Sequence, residues 1–183
     1  MKKIIFVLSI ALLLVSCSSD SNNSSSSSTS GVYKWGFKLD GVLYQWEGNQ
    51  PAGGGTAAGG QATYSTNSLV LNKTNSSGLL NISVGIIFPT TSTGNFVFNS
   101  SSSSQTQFNL TVINDNQESY EYYGIDDGVT MNVNISSLSN VTFLTNPTNP
   151  GKVIGTFFGT VKSADGSSIA TITEGYFEAA RLQ

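Results

Sequence analysis

The chain has 183 residues, one cysteine, no histidine and a formal net charge of −3, with only 10% of its residues charged. Without histidine there is no Ser-His-Asp arrangement and no imidazole metal ligand. A single thiol allows no disulfide within the chain, and the sparse lysines form no basic footprint for nucleic acid.

The chain begins with Lys2 and Lys3, followed by an apolar run from Ile4 to Val15 and a junction Leu14-Val15-Ser16-Cys17. This reads as a secretory signal over residues 1–16, too short to span a bilayer comfortably. The ending Leu-Val-Ser-Cys resembles the lipobox of bacterial lipoproteins. The resemblance implies cleavage before Cys17, a diacylglycerol thioether on its sulfur and an acyl chain, such as palmitate, on the new amine. Several chains anchor a protein firmly where one holds it only marginally. With Cys17 lipidated, no thiol remains for redox chemistry or metal ligation. Loss of Lys2 and Lys3 leaves six basic residues against eleven acidic ones, a net of about −5. Residues 17–30 are the lipidated cysteine and a serine-rich tether, too polar to offset the entropy of ordering it.

Residues 31–183 have the length of one domain with a sizeable core. Tyr33, Trp35, Phe37 and Leu39 alternate with Lys34, Gly36 and Lys38, and Asp40-Gly41 precedes a second alternating run, Val42, Tyr44 and Trp46. Asp-Gly between alternating runs predicts a two-residue hairpin. It would pair Leu39 with Val42, Phe37 with Tyr44 and Trp35 with Trp46 on an aromatic face. Lys38 would face Leu43, Gly36 would face Gln45 and Lys34 would face Glu47 on the wet one. Such cross-strand pairs contribute roughly 0.2–1 kcal/mol each.

A glycine- and alanine-rich loop follows over Pro51 to Gly60, and Gln61 to Leu71 reads as one strand. Leu80, Ile82, Val84, Ile86 and Phe88 make one face of the next strand, which Pro89 ends by removing a ladder donor. Short strands follow over Gly94 to Asn99, Gln105 to Asn114, Ser119 to Ile125 and Val129 to Ile135, separated by Ser100–Ser104, Asp115-Asn116 and Asp126-Asp127-Gly128. Ser136 to Thr145 reads as a turn and a short strand, and Asn146 to Gly151 as a loop. In the strand from Lys152 to Lys162, Val153, Gly155, Phe157, Gly159 and Val161 share one face while Ile154 and Phe158 lie on the other. That pattern predicts a strand buried on more than one side. Ser168 to Leu182 closes the chain as one strand interrupted near Gly175, or as two.

About ten strands with short connections and no helical pattern predict an all-β antiparallel sandwich, with barrel-like closure as the alternative. The acids offer little chemistry. Asp40, Asp115, Asp126, Asp127 and Asp165 sit in turns, and Glu47 is placed to pair with Lys34. Glu174 and Glu178 flank Tyr176 and Phe177, where they line a pocket or solubilise a strand edge. No catalytic residue, metal site or cofactor is expected. The aromatic clusters are the candidate binding residues: Trp35 and Trp46, and Tyr120, Tyr122 and Tyr123, whose rings could stack on a sugar or grip a protein. The alternation of the first hairpin favours a core position for its own rings.

Trp35-Gly-Phe37-Lys-Leu-Asp40-Gly41-Val-Leu-Tyr44 at one end, and Gly155-Thr-Phe157 with Ile172-Thr-Glu-Gly175-Tyr-Phe177 at the other, follow the lipobox and tether. In this order of features the chain resembles a group of small Bacteroidota outer-membrane lipoproteins with an all-β domain. The resemblance covers the two ends of the domain and carries no catalytic residues. It implies a lipid anchor in the outer membrane of a Gram-negative bacterium. Ser18, Ser19 and Asp20 after Cys17 leave the periplasmic or cell-surface side open. The expected role is a non-catalytic binding module for a glycan or an envelope protein. The alternatives are an accessory subunit of an outer-membrane or cell-surface assembly, self-associating through a sheet edge, and a carboxylate-based hydrolase.

Overall fold

The computed structural model describes residues 32–49, 60–74, 80–103, 106–114, 116–139 and 151–181. The leader, Cys17, the tether, the loop at 51–59, the turn at 75–78 and the segment 140–150 lie outside the described residues. Those described form eleven strands and no helix. They are β1 Val32–Leu39, β2 Val42–Asn49, β3 Gly60–Ser65, β4 Ser68–Thr74, β5 Leu80–Ile87, β6 Gly94–Phe98, β7 Gln107–Ile113, β8 Ser119–Tyr123, β9 Met131–Leu138, β10 Lys152–Ser163 and β11 Ile169–Arg181.

The two longest strands, β10 and β11, pair with each other and organise the rest. Along its free edge β11 pairs first with β1 and then, at Ala180 and Arg181, with β3. Along its own free edge β10 pairs with β9 and then, at Lys162 and Ser163, with β8. One layer is therefore β2-β1-β11-β10-β9-β6, and the other is β3-β4-β5-β7-β8. The long strands join them at diagonal corners and close a ring of seven strands, β11-β3-β4-β5-β7-β8-β10. The fold is all-β, as the strand pattern predicts, and it combines sandwich layers with ring closure. One pairing departs from the antiparallel expectation: β3 and β11 run parallel.

Aromatic rings connect the layers. Phe157 on β10 lies 5.5 Å from Phe37 on β1, 6.2 Å from Phe108 on β7 and 6.4 Å from Phe177 on β11. Phe108 leads on to Phe98 at 6.5 Å, Phe98 to Phe88 at 5.9 Å, and Phe88 to Tyr64 at 6.0 Å. These separations suit edge and offset contacts between rings. The buried residues of all these strands form one continuous core.

The first hairpin has the predicted register at all six pairs, from Leu39 opposite Val42 to Lys34 opposite Glu47. Asp40 at φ 48° and Gly41 at φ 84° give the turn the doubly left-handed form that matches strand twist. Asp40 also stitches this turn to β11. Its N–H donates to the Thr171 carbonyl at 2.9 Å, and its Oδ1 accepts from the Thr171 N–H at 2.7 Å. Asp40→Ala leaves that N–H without its acceptor and puts a less suitable residue at positive φ. The expected loss is about 2 kcal/mol, with Asp40→Asn much milder, read from urea denaturation midpoints. Equal midpoints for the two variants would refute this account.

Gln61 to Leu71 is not one strand. It is the β3–β4 hairpin, turning at Thr66 and Asn67 with neither glycine nor proline. Thr66 takes φ 55°, an unfavourable value for a β-branched residue. The turn is held by a distant partner: Asn67 Nδ2 donates to the Phe88 carbonyl at 2.8 Å, and Phe88 N–H donates back to the Asn67 carbonyl at 2.9 Å. Ser136 to Leu138 continue β9 where a turn was expected.

Candidate functional site

On β10, Val153, Gly155, Phe157 and Val161 point into the core, and Ile154, Thr156, Phe158 and Thr160 point out. The expectation that β10 is buried on both sides is overturned. Phe158 is 57% exposed and Ile154 37%, because no second layer among the described residues covers this face. A phenylalanine ring thus stands on the outside of the six-stranded layer.

β11 shapes the surface beside it. Phe157 pairs with Gly175 and Gly159 with Ile172, so Thr173 and Glu174 together oppose the single residue Phe158. This is a β-bulge, and β1 sees the same extra residue between Gly36 and Lys38. Glu174 takes φ 55°. Among the described residues it is the only non-glycine residue with a left-handed backbone inside a strand, since Asp40, Thr66 and Gln117 lie in connections. Strain of this kind persists where the surroundings hold it, often at functional sites. The bulge turns both Thr173 and Glu174 outward. Between the strands it leaves an open, mostly apolar groove of about 560 Å³, walled by Thr156, Phe158, Thr160, Thr171, Thr173 and Glu174. Lys38 Nζ caps one side, 2.7 Å from Glu174 Oε1.

The adjacent row is polar and uncharged. Register places Gln45, Gly36, Tyr176, Thr156, Asn134 and Asn95 side by side across all six strands. Gly36 allows the Tyr176 ring to lie against the sheet, since a Cβ there would stand 2.8 Å from Tyr176 Cε1. Asn134 Nδ2 donates to Asn95 Oδ1 at 2.6 Å. Beyond this row, Lys34 and Lys152 each approach Glu178 to 3.0 Å. Glu178 therefore takes the partner role expected of Glu47: Lys34 turns to β11, although Glu47 remains opposite it in register. Burial pushes the Glu178 carboxyl up, but the two lysines more than offset this, and its pKa lies below the ordinary value. The Lys34 ammonium is correspondingly raised, first by its hydrogen bond to Glu178 and then by that residue's charge.

The two aromatic clusters singled out in the sequence are not brought together: Trp35 and Trp46 stand opposite each other on β1 and β2, away from the tyrosines of β8. Trp35 is fully buried and donates its indole N–H to the Gln61 carbonyl at 3.1 Å. Trp46 is half-buried against the core, with its ring across Gly48 and Gly60. Tyr120, Tyr122 and Tyr123 lie on β8 in the other layer. Tyr122 rests on the core, Tyr120 is exposed with its hydroxyl on Glu118 at 3.0 Å, and Tyr123 bonds Glu121 at 3.1 Å. The exposed aromatic residues of the outer face, Phe158 and Tyr176, were not among those candidates. Their sequence signal was the Phe157-Phe158 pair, which breaks the polar-out alternation, and a tyrosine flanked two residues away by glutamates.

Among the described residues, no three acidic or thiol groups stand close enough to hold a metal ion. Fold and face together define an all-β domain whose outer surface carries an exposed aromatic groove beside a polar, uncharged row. Comparison with known protein families, with curated proteins and with solved structures finds no match.

Proposed function

We propose that the protein is a lipid-anchored, non-catalytic binding module of the cell envelope that holds a glycan on the outer face of β10 and β11. The observation that carries this reading is Phe158, exposed at the centre of a groove walled by threonines. A sugar ring has apolar C–H faces and a rim of hydroxyls. An exposed aromatic ring takes the first by apolar contact, and threonine and asparagine side chains take the second by hydrogen bonding. The non-catalytic part is supported by the two glutamates of β11 on this face, Glu174 and Glu178, which are both bound to lysines. The anchor part rests on the leader and Cys17, which tie the module to the outer membrane on its periplasmic or cell-surface side.

The test is Phe158→Ala in the full-length chain, assayed by polysaccharide retardation in native gels. Because the ring is exposed, the thermal midpoint is expected to stay within a degree or two. Retardation should fall by about tenfold, the equivalent of about 1.4 kcal/mol. Unchanged retardation would remove Phe158 from the site.

A second reading has its own observation. Strands β2 and β6 end the sheet order, and they expose Val42, Leu43 and Val97. Edges that no described strand pairs can join copies of a chain, as in an accessory subunit of an assembly. It predicts a sedimentation coefficient that rises with concentration; a strict monomer at the highest concentration counts against it.

A further inference from the structure

We infer that the ligand is a neutral glycan, held lengthwise in the groove between β10 and β11 with Phe158 as its stacking platform; this rests on the glycan-binding reading above. The charges of the six-stranded layer's outer face cancel within that layer, and Lys73 of β4 stands at its border beside Gln45, Glu47 and Tyr176. Lys34, Lys38 and Lys152 stand on that face against Glu47, Glu174 and Glu178, three cations and three anions. Each of these lysines lies within 3.0 Å of a carboxylate. No ammonium among the three is left to receive a uronate or sulfate, and taking one would break an existing ion pair. At the far end of β10, Lys162 adds a cation, and Asp165 in the next turn adds an anion. The charged residue that lines the groove with Phe158 is Glu174, whose side chain is 66% exposed and offers an acidic sugar a like charge.

The groups that remain free to recognise a ligand are uncharged. Thr156, Thr171 and Thr173 are exposed, as are Gln45 and Asn95 in the adjacent row. The groove follows both strands from Thr156 to Thr160 and from Thr171 to Gly175. At about 3.3 Å per residue its length is about 13 Å, enough for more than one sugar ring. Its width comes from the bulge, since without Glu174 the two strands would match residue for residue between Phe157 and Gly159. The left-handed Glu174 thus adds a second outward residue opposite Phe158 and leaves space beside the phenylalanine ring.

The experiment uses the full-length chain in mild detergent, run in native gels containing one polysaccharide each. The neutral probes are cellulose derivative, β-1,3-glucan and mannan; the acidic probes are alginate and polygalacturonate. The expected result is retardation by at least one neutral probe and by neither acidic one, unchanged when salt is raised. Two variants should reduce it at least tenfold: Phe158→Ala, and deletion of Glu174, which restores one-to-one pairing and leaves inward alternation at Ile172 and Gly175 intact. Retardation by acidic probes alone, or retardation that salt abolishes, overturns the neutral-glycan inference and leaves a glycan-binding module standing. Neutral binding that survives both variants places the ligand elsewhere and overturns the groove assignment. Retardation by no probe overturns the glycan-binding reading, and the inference with it.

Discussion

Phe157→Ala is expected to destabilise the domain by about 3–5 kcal/mol, the usual cost of emptying a large aromatic site in a core. Phe157 is fully buried on β10, and its ring contacts Phe37, Phe108 and Phe177. Phe177 belongs to the neighbouring strand β11, Phe37 to β1 one strand further along the same layer, and Phe108 to the opposite layer. Truncation therefore removes apolar burial, ring–ring contact and the contact between layers together. The surrounding strands are closed into a ring and cannot move far to fill the space, so the cavity term should be large. Urea denaturation measures it: the midpoint should fall sharply with the slope unchanged. A loss under about 1.5 kcal/mol would mean that the layers repack freely, and that this residue is not the centre of the core.

Gly175→Ala should be as damaging by the opposite mechanism. A Cβ at Gly175 would fall inside contact distance of the Phe157 carbonyl oxygen and 2.8 Å from two carbons of its ring. The carbonyl belongs to the β10 backbone and cannot withdraw without disturbing the central β10–β11 ladder. Overpacking against a fixed backbone costs about 3 kcal/mol at the upper end of the usual range. The expected outcome is a loss of that size or failure to fold. Gly85→Ala provides the contrast, because nothing lies within 4 Å of its virtual Cβ on β5. That change should be neutral or stabilising by about 0.5–1 kcal/mol, through a smaller entropy loss on folding. Similar losses at the two positions would show that strand propensity, not close approach, sets the requirement for glycine. Combining Gly175→Ala with Phe157→Ala should give less than the sum of the two losses, since the second removes the ring that the first collides with.

Much of the fold was legible. The first hairpin could be read to the residue because Asp40-Gly41 permits one turn geometry, and a two-residue loop permits one register. The faces of β5, β7 and β9 were legible for a related reason: period-two alternation records which side meets the core. The β3–β4 turn was not, because the conformation of Thr66 is maintained by Asn67 bonding Phe88, a partner 21 residues away from it. The site was largely hidden too. Phe158 looked like a core residue because apolar side chains on both faces usually mean two covering layers, and sequence cannot show that the described strands leave one face uncovered. Lys34 had two glutamates within reach. Local pairing favoured Glu47, and the geometry of β11 selected Glu178.

By itself the sequence determined an all-β chain, its strand faces, its first hairpin and the absence of histidine and thiol chemistry from the domain. These are properties of residue type and short-range spacing, and local sterics and hydrophobic patterning suffice to decide them. Only the tertiary structure decided that β10 and β11 join two layers, that Glu174 bulges opposite Phe158, and that the ring of Phe158 faces outward among threonines. Each depends on which strand lies beside which. That choice is made by burying the whole core at once, and no local stretch encodes it.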